Sequence, residues 1–239
     1  MIQSLQYRKA SRIKDLVDSI SWWDMQGVLF AKGHALGALI QDLDRYKNFG
    51  PHTLAASATY LKQCCALNTE FEDWFEQLIG ESPSPIYWTG SGTKKTIGIS
   101  FASLYLAHLM LDYWTLRLVL STTIDIICSE VPKDIPPTMR NFIETLKLDH
   151  GNARQIELAT NIMRGIPFCL KDEYGASSSQ KCLFSGRVAL YALRRHPSEQ
   201  LAKFQATFLE LTIKKGLRFA QDIDKKEMTS WTPVLSEKG

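Results

Sequence analysis

Along most of this chain, apolar residues return every three or four positions, the period of a helix with one buried face. Leu54, Ala58, Leu61 and Cys65 share one face of the segment 52–79, and Phe71, Trp74, Phe75 and Leu78 continue the stripe. Ile156, Ala159, Met163, Ile166 and Leu170 do the same in 152–171, and Leu201, Phe204, Phe208 and Leu211 in 198–224. No stretch alternates apolar and polar residues for long enough to predict a strand. The pattern predicts an all-α fold of about eight helices, near 3–21, 23–46, 52–79, 97–129, 138–147, 152–171, 181–195 and 198–224. The long run 97–129 is expected at the centre of an irregular bundle formed by the others.

Punctuation sharpens these boundaries. Gly50 and Pro51 match a helix stop followed by a new start. Asn152, with Gln155 three residues on, resembles a capping box. Gly165 and Pro167 predict a kink, because proline has no N–H for the carbonyl of Met163. Pro197 and Ser198 open the last helix. The segments 80–96, 130–137 and 172–180 read as linkers, the first and third with the Gly, Ser and Pro content of surface loops. With no internal repeat, one domain over 1–224 and a polar tail over 225–239 are expected.

Composition narrows the function classes. The chain has 239 residues, 45% of them hydrophobic, enough for one substantial core. Its 28 basic and 25 acidic residues are interspersed, without the basic stripe of a nucleic-acid binder. The short patches Arg8-Lys9-Arg12-Lys14 and Arg194-Arg195 read as solvated helix faces. The five cysteines, Cys64, Cys65, Cys128, Cys169 and Cys182, are odd in number and contain no CxxC. They predict free, mostly buried thiols in a reducing compartment. The N-terminal segment lacks the apolar core of a signal peptide, and Asp15 and Asp18 do not suit a transit peptide. Residues 99–128 are the most apolar stretch, but His108, Asp112, Arg117 and Asp125 interrupt the roughly 20 apolar residues a spanning helix needs. No membrane association is expected.

The stretch YWTGSGTKKT, 87–96, invites a phosphate-loop reading. That motif needs G-x-x-x-x-G-K-[ST], whereas Thr89 and Lys94 occupy the two glycine positions before Lys95 and Thr96. G-x-G-x-x-G fails as well, because Lys95 follows Gly90 and Gly92 in the third glycine's place. The stretch therefore reads as a connector. His108 and Asp112, spaced i, i+4, can share a face as metal ligands. Without HExxH or a neighbouring histidine, they read instead as a hydrogen-bonded polar pair in the core. Glu70, Glu72, Asp73 and Glu76 carry neither the DDxxD nor the Asn/Ser/Glu motif of helical terpene-cyclising enzymes, and fall on the solvated face opposite Phe71, Trp74 and Phe75. Cys169 follows Pro167 and Phe168 in apolar surroundings that raise a thiol's pKa. Ser185 in FSGRV lacks the glycine two residues earlier that a nucleophile elbow needs. The residues thus predict no catalytic group, no cofactor and no metal ligand.

Several segments carry a resemblance. TEFEDWFEQLIGESPSPIYWTGSG, with Phe-x-x-Trp-Phe, Ser-Pro-x-Pro and Tyr-Trp, resembles the C-terminal regulatory region of fungal zinc-cluster transcription factors. ISFASLYLAHLMLDYWTLRL is similar to that family's next helix, a Phe, an alanine-centred apolar run and Tyr-Trp before leucines. The likeness continues through ELATNIMRGIPFCLKDEYG, CLFSGRVALYAL and LTIKKGLRFAQDI, and covers about residues 68–224. KGHALGALIQDL with Gly50-Pro51 extends it to 32–51. Each motif is mostly packing residues, so the order and spacing carry the resemblance.

The resemblance implies an all-helical regulatory region acting in the nucleus, often on metabolic gene clusters, through contacts with the transcription machinery or a co-regulator. The family's six-cysteine, two-zinc DNA-binding cluster has no counterpart among the five cysteines, and no basic linker or heptad repeat precedes the region. Direct DNA contact is therefore not expected, and the chain reads as a fragment or a free-standing module. The interaction surface is sought near Trp88 or Trp22-Trp23, although packing is the simpler use of each. A small-molecule-binding protein or enzyme of fungal secondary metabolism, with a pocket among the helices, is the alternative. A homodimerising scaffold is a further option, its mark a large apolar patch.

Overall fold

The computed structural model describes residues 2–49, 53–89, 98–132, 134–195 and 199–214, with the backbone alone at 2–23, 49, 176, 199 and 200. The all-α expectation holds. The chain forms α1 (Ile2–Phe49), α2 (Leu54–Glu81), α3 (Leu104–Glu130), α4 (Pro137–His150), α5 (Asn152–Cys169), α6 (Gly175–Arg194) and α7 (Glu199–Lys214). The two expected helices 3–21 and 23–46 are one, since neither glycine nor proline stands between Ile20 and Trp23 to break it.

Side chains set several helix starts. Thr53 caps α2, its hydroxyl accepting from the Ala56 N–H at 3.3 Å while its own N–H donates to the Tyr46 hydroxyl at 2.6 Å. Ser103 caps α3 in the same way, accepting from Leu106 N–H at 3.1 Å. The Gly50-Pro51 boundary lies outside the described residues. The capping box expected at Asn152 does not form, because Asn152 is already the first helical residue and Gly151 is the cap. Gln155 turns inward instead. Its amide donates to the His150 carbonyl at 3.1 Å and to Asp125 Oδ2 at 3.3 Å. Pro167 lies within α5, which ends two residues later at Cys169.

The sequence pattern showed no strand, yet the structure has a short hairpin. β1 (Tyr87–Thr89) pairs antiparallel with β2 (Ile99–Phe101), Tyr87 opposite Phe101 and Thr89 opposite Ile99. Three residues are too few for alternation to show. The hairpin is held by its apolar residues: Ile86, Ile99 and Phe101 are buried. As a result the predicted helix 97–129 begins at Leu104 rather than before it. The expected linker 172–180 is mostly helical too. A 3₁₀ turn, Asp172–Tyr174, leads into α6 at Gly175, whose φ of 69° favours glycine. The serines that suggested a loop satisfy their hydroxyls against main-chain carbonyls, Ser178 on Cys169 at 2.7 Å and Ser179 on Gly175 at 3.3 Å.

One hydrophobic cluster runs from Met25 to Phe208. α3 packs against α1, α2, α4, α5 and α6, and its consecutive buried residues Leu109, Met110 and Leu111 and then Tyr113, Trp114 and Thr115 show burial over most of its circumference, with a half-buried stripe through His108, Asp112, Leu116 and Val119. Close approaches use glycine. A Cβ on Gly165 of α5 would meet Leu111 and Phe101 at 3.2 Å, and one on Gly186 of α6 would collide with the Phe208 ring of α7.

Candidate functional site

Two buried polar groups stand out from this apolar packing. The first gathers at the junction of α3, α5 and α6. His108 points from α3, Cys169 ends α5, and Cys182 lies in α6. One ligand atom from each lies within 4.8 Å of the other two. Both thiols are buried, and His108 is partly buried. Ser178, one turn before Cys182, ties the group together. Its hydroxyl donates to the Cys169 carbonyl at 2.7 Å and meets His108 Nε2 at 2.9 Å, while the Cys182 thiol donates to the Ser178 carbonyl at 3.2 Å. Since the serine proton is committed to the carbonyl, Nε2–H is the donor to serine, and the inferred tautomer leaves the imidazole lone pair on Nδ1.

Burial shifts two titratable groups at this junction. The hydrogen bond to Cys169 and burial push the Cys182 thiol far up, against a smaller opposite pull from His108. Asp112, one turn beyond His108, is pushed up to about 6 by burial, with Lys181 of α6 opposing. Elsewhere burial pushes Cys64 to about 12 and Cys128 to about 11. Thiols held this way are poor nucleophiles.

The second group lies where α2, α4 and α5 meet α3. Arg117 is buried, with Nη2 on Glu72 Oε1 at 3.0 Å and Nη1 on the Tyr113 hydroxyl at 3.2 Å. Its Nε is buried without a partner among the described residues. Nearby, Ser121 meets His150 Nδ1 at 3.3 Å, and Gln155 joins Asp125. Burial, then Arg117, holds the His150 imidazole below its ordinary range. Through Glu72 the guanidinium ties α3 to α2, and through Tyr113 it bonds within its own helix.

The expected candidates separate on this map. His108 meets Ser178 across helices, and Asp112 faces Lys181. Cys169 belongs to the first group. Ser185 is buried in α6, two turns beyond the serine that His108 meets. Glu70, Glu72, Asp73 and Glu76 stand exposed on α2, Glu70 paired with Lys32 at 3.1 Å. Trp88 is exposed on β1. The connector 90–96 and the side chains of Trp22 and Trp23 lie outside the described residues. Sequence reasoning missed Cys182 and Ser178 as partners of His108, because three helices distant in sequence bring them together. It also missed His150, although a signal was there: His150 falls in phase with Ile143 and Leu146 on the buried face of α4.

No family model matches the chain, and no curated protein or solved structure matches it. Among the described residues, no helix is long and apolar enough to cross a membrane.

Proposed function

We propose that this chain is a non-catalytic regulatory module of transcription, related to the helical region of fungal zinc-cluster transcription factors, that does not itself contact DNA. On this reading it is an irregular helical array built around α3, acts in the nucleus, and works through a protein of the transcription machinery, a co-regulator or a second copy of itself. The observation that carries the reading is how the resembling motifs meet. Phe71, Trp74 and Phe75 of the first motif all contact Tyr113 of the second. Tyr87 and Phe101 pack on Trp114, Phe101 on Phe168 of the third, and Phe168 on Tyr174. Segments from 71 to 174 thus share one aromatic core, the use that packing motifs in fixed order require. The raised thiol pKa values and the bracing role of Arg117 fit a module without chemistry of its own.

The test is selection from a random duplex pool with the purified chain at physiological salt. Weak, salt-sensitive binding without sequence enrichment is the expected result. A specific duplex held tightly by this chain alone would overturn the reading.

A further inference from the structure

We propose that His108, Cys169 and Cys182 form a zinc site that fastens α3, α5 and α6 together. The proposal is independent of the regulatory reading and rests on the convergence of three donors from three helices. In a tetrahedral zinc centre with Zn–S near 2.3 Å and Zn–N near 2.0–2.1 Å, donor atoms lie about 3.5–3.8 Å apart. The three donor atoms here already fall within 4.8 Å of one another, so small rotamer changes close the gap. The donor set is chemically apt. Two thiols and an imidazole are the soft and borderline ligands that zinc selects, and among the described residues no other His, Cys, Asp or Glu set of three converges as closely.

Charge supports the same assignment. Cys169 and Cys182 are 0% and 1% exposed, where an isolated charge is costly. Zn2+ replaces both thiol protons, which leave to solvent, and two thiolates balance the dication. The buried centre therefore carries no net charge. Ser178 already holds the imidazole edge and the Cys169 carbonyl, as the oxygen partners around a metal-bound histidine do. Three protein donors leave the fourth tetrahedral position to water. The other thiols differ: Cys64, Cys65 and Cys128 interact with one another but belong to no such donor group among the described residues.

The experiment uses the full chain, purified under reducing conditions without chelator. Metal content is read by inductively coupled plasma mass spectrometry, and the chelator-stripped chain is then titrated with Co2+. About one equivalent of zinc per chain is expected, falling to background in His108→Ala and Cys182→Ser but retained in Cys64→Ser. Co2+ should give the near-ultraviolet thiolate charge-transfer band and strong visible bands of a tetrahedral site, a readout on the unaltered chain that does not depend on variants folding. Zinc at background with no thiolate band would overturn the proposal. So would a Cys169–Cys182 disulfide in the reduced preparation, or zinc that Cys182→Ser and His108→Ala keep undiminished.

Discussion

The rings of Phe75 and Tyr113 lie nearly parallel, their centroids 4.9 Å apart and their planes 11° from coplanar. One belongs to α2 and the other to α3, 38 residues on. Trp74 stacks on the same tyrosine at 5.3 Å, and Phe71 meets it edge-on at 6.5 Å. Tyr113 is thus the anchor of α2 on the rest of the core. Tyr113→Ala is expected to lower unfolding free energy by about 3–5 kcal/mol in urea titrations, with the slope unchanged. A loss below about 1 kcal/mol would mean the rings are neighbours without being supports.

Tyr113→Phe isolates the polar part of the same contact. It keeps the ring and removes the hydroxyl that accepts from Arg117 Nη1 at 3.2 Å. Because Arg117 is buried and its Nε is already unpartnered among the described residues, losing a second acceptor is expected to cost about 1–3 kcal/mol. Unfolding midpoints of the two variants, measured side by side, separate ring packing from hydrogen bonding. Equal stability of Tyr113→Phe and the unaltered protein would show that Glu72 alone satisfies the guanidinium.

Glycines give a prediction with two signs. A methyl on Gly186 would strike the Phe208 ring, so Gly186→Ala is expected to destabilise by about 1–3 kcal/mol through overpacking between α6 and α7. Gly37 and Gly27 of α1 have nothing within 4 Å of such a methyl. Gly37→Ala and Gly27→Ala are expected to stabilise by about 0.5–1 kcal/mol, the helix-propensity gain alone. Thermal melts suffice, and a destabilising Gly37→Ala would show that this face of α1 is covered.

Two groups, the buried His150 and the half-buried Asp112, tilt the pH dependence in opposite directions. His150 is held below its ordinary 6.5 by burial and by Arg117 and Arg154, with Asp149 and Glu72 opposing. The unfolded chain takes up a proton there before the folded chain does, so stability falls as pH drops below 6.5. Asp112 is raised from 3.8 to about 6 against the pull of Lys181. The folded chain keeps that proton longer, so stability is lost as pH rises from about 4 to 6 and stays lost above. His150→Gln is expected to flatten the acid-side loss. Asp112→Asn is expected to add about 1–2 kcal/mol near pH 7 and nothing near pH 4. Urea unfolding across that range reads both, and parallel curves for variants and parent would refute the assignment.

The helical period made the fold class legible because long helices repeat their apolar stripe several times. Phe71, Trp74 and Leu78 are buried in α2 in the phase that spacing predicts. The hairpin was not legible, since three residues per strand leave no period and its rings pack on Trp114, a partner in another element. The start of α6 was hidden by serines, which favour loops locally but here bond to carbonyls at the end of α5 and in their own turn. The His108 group was half legible. His108 and Cys169 each stand out in the sequence, while their convergence with Cys182 depends on packing that no local pattern encodes.

The regulatory reading is tested most directly by tethering the chain to an unrelated DNA-binding domain in a fungal host and measuring transcription of a reporter bearing that domain's sites. The account predicts a change in reporter output that requires the folded chain, absent with Tyr113→Ala and unchanged with Glu76→Gln on the exposed face of α2. Reporter output identical to that of the DNA-binding domain alone, with the fusion folded and in the nucleus, would contradict it.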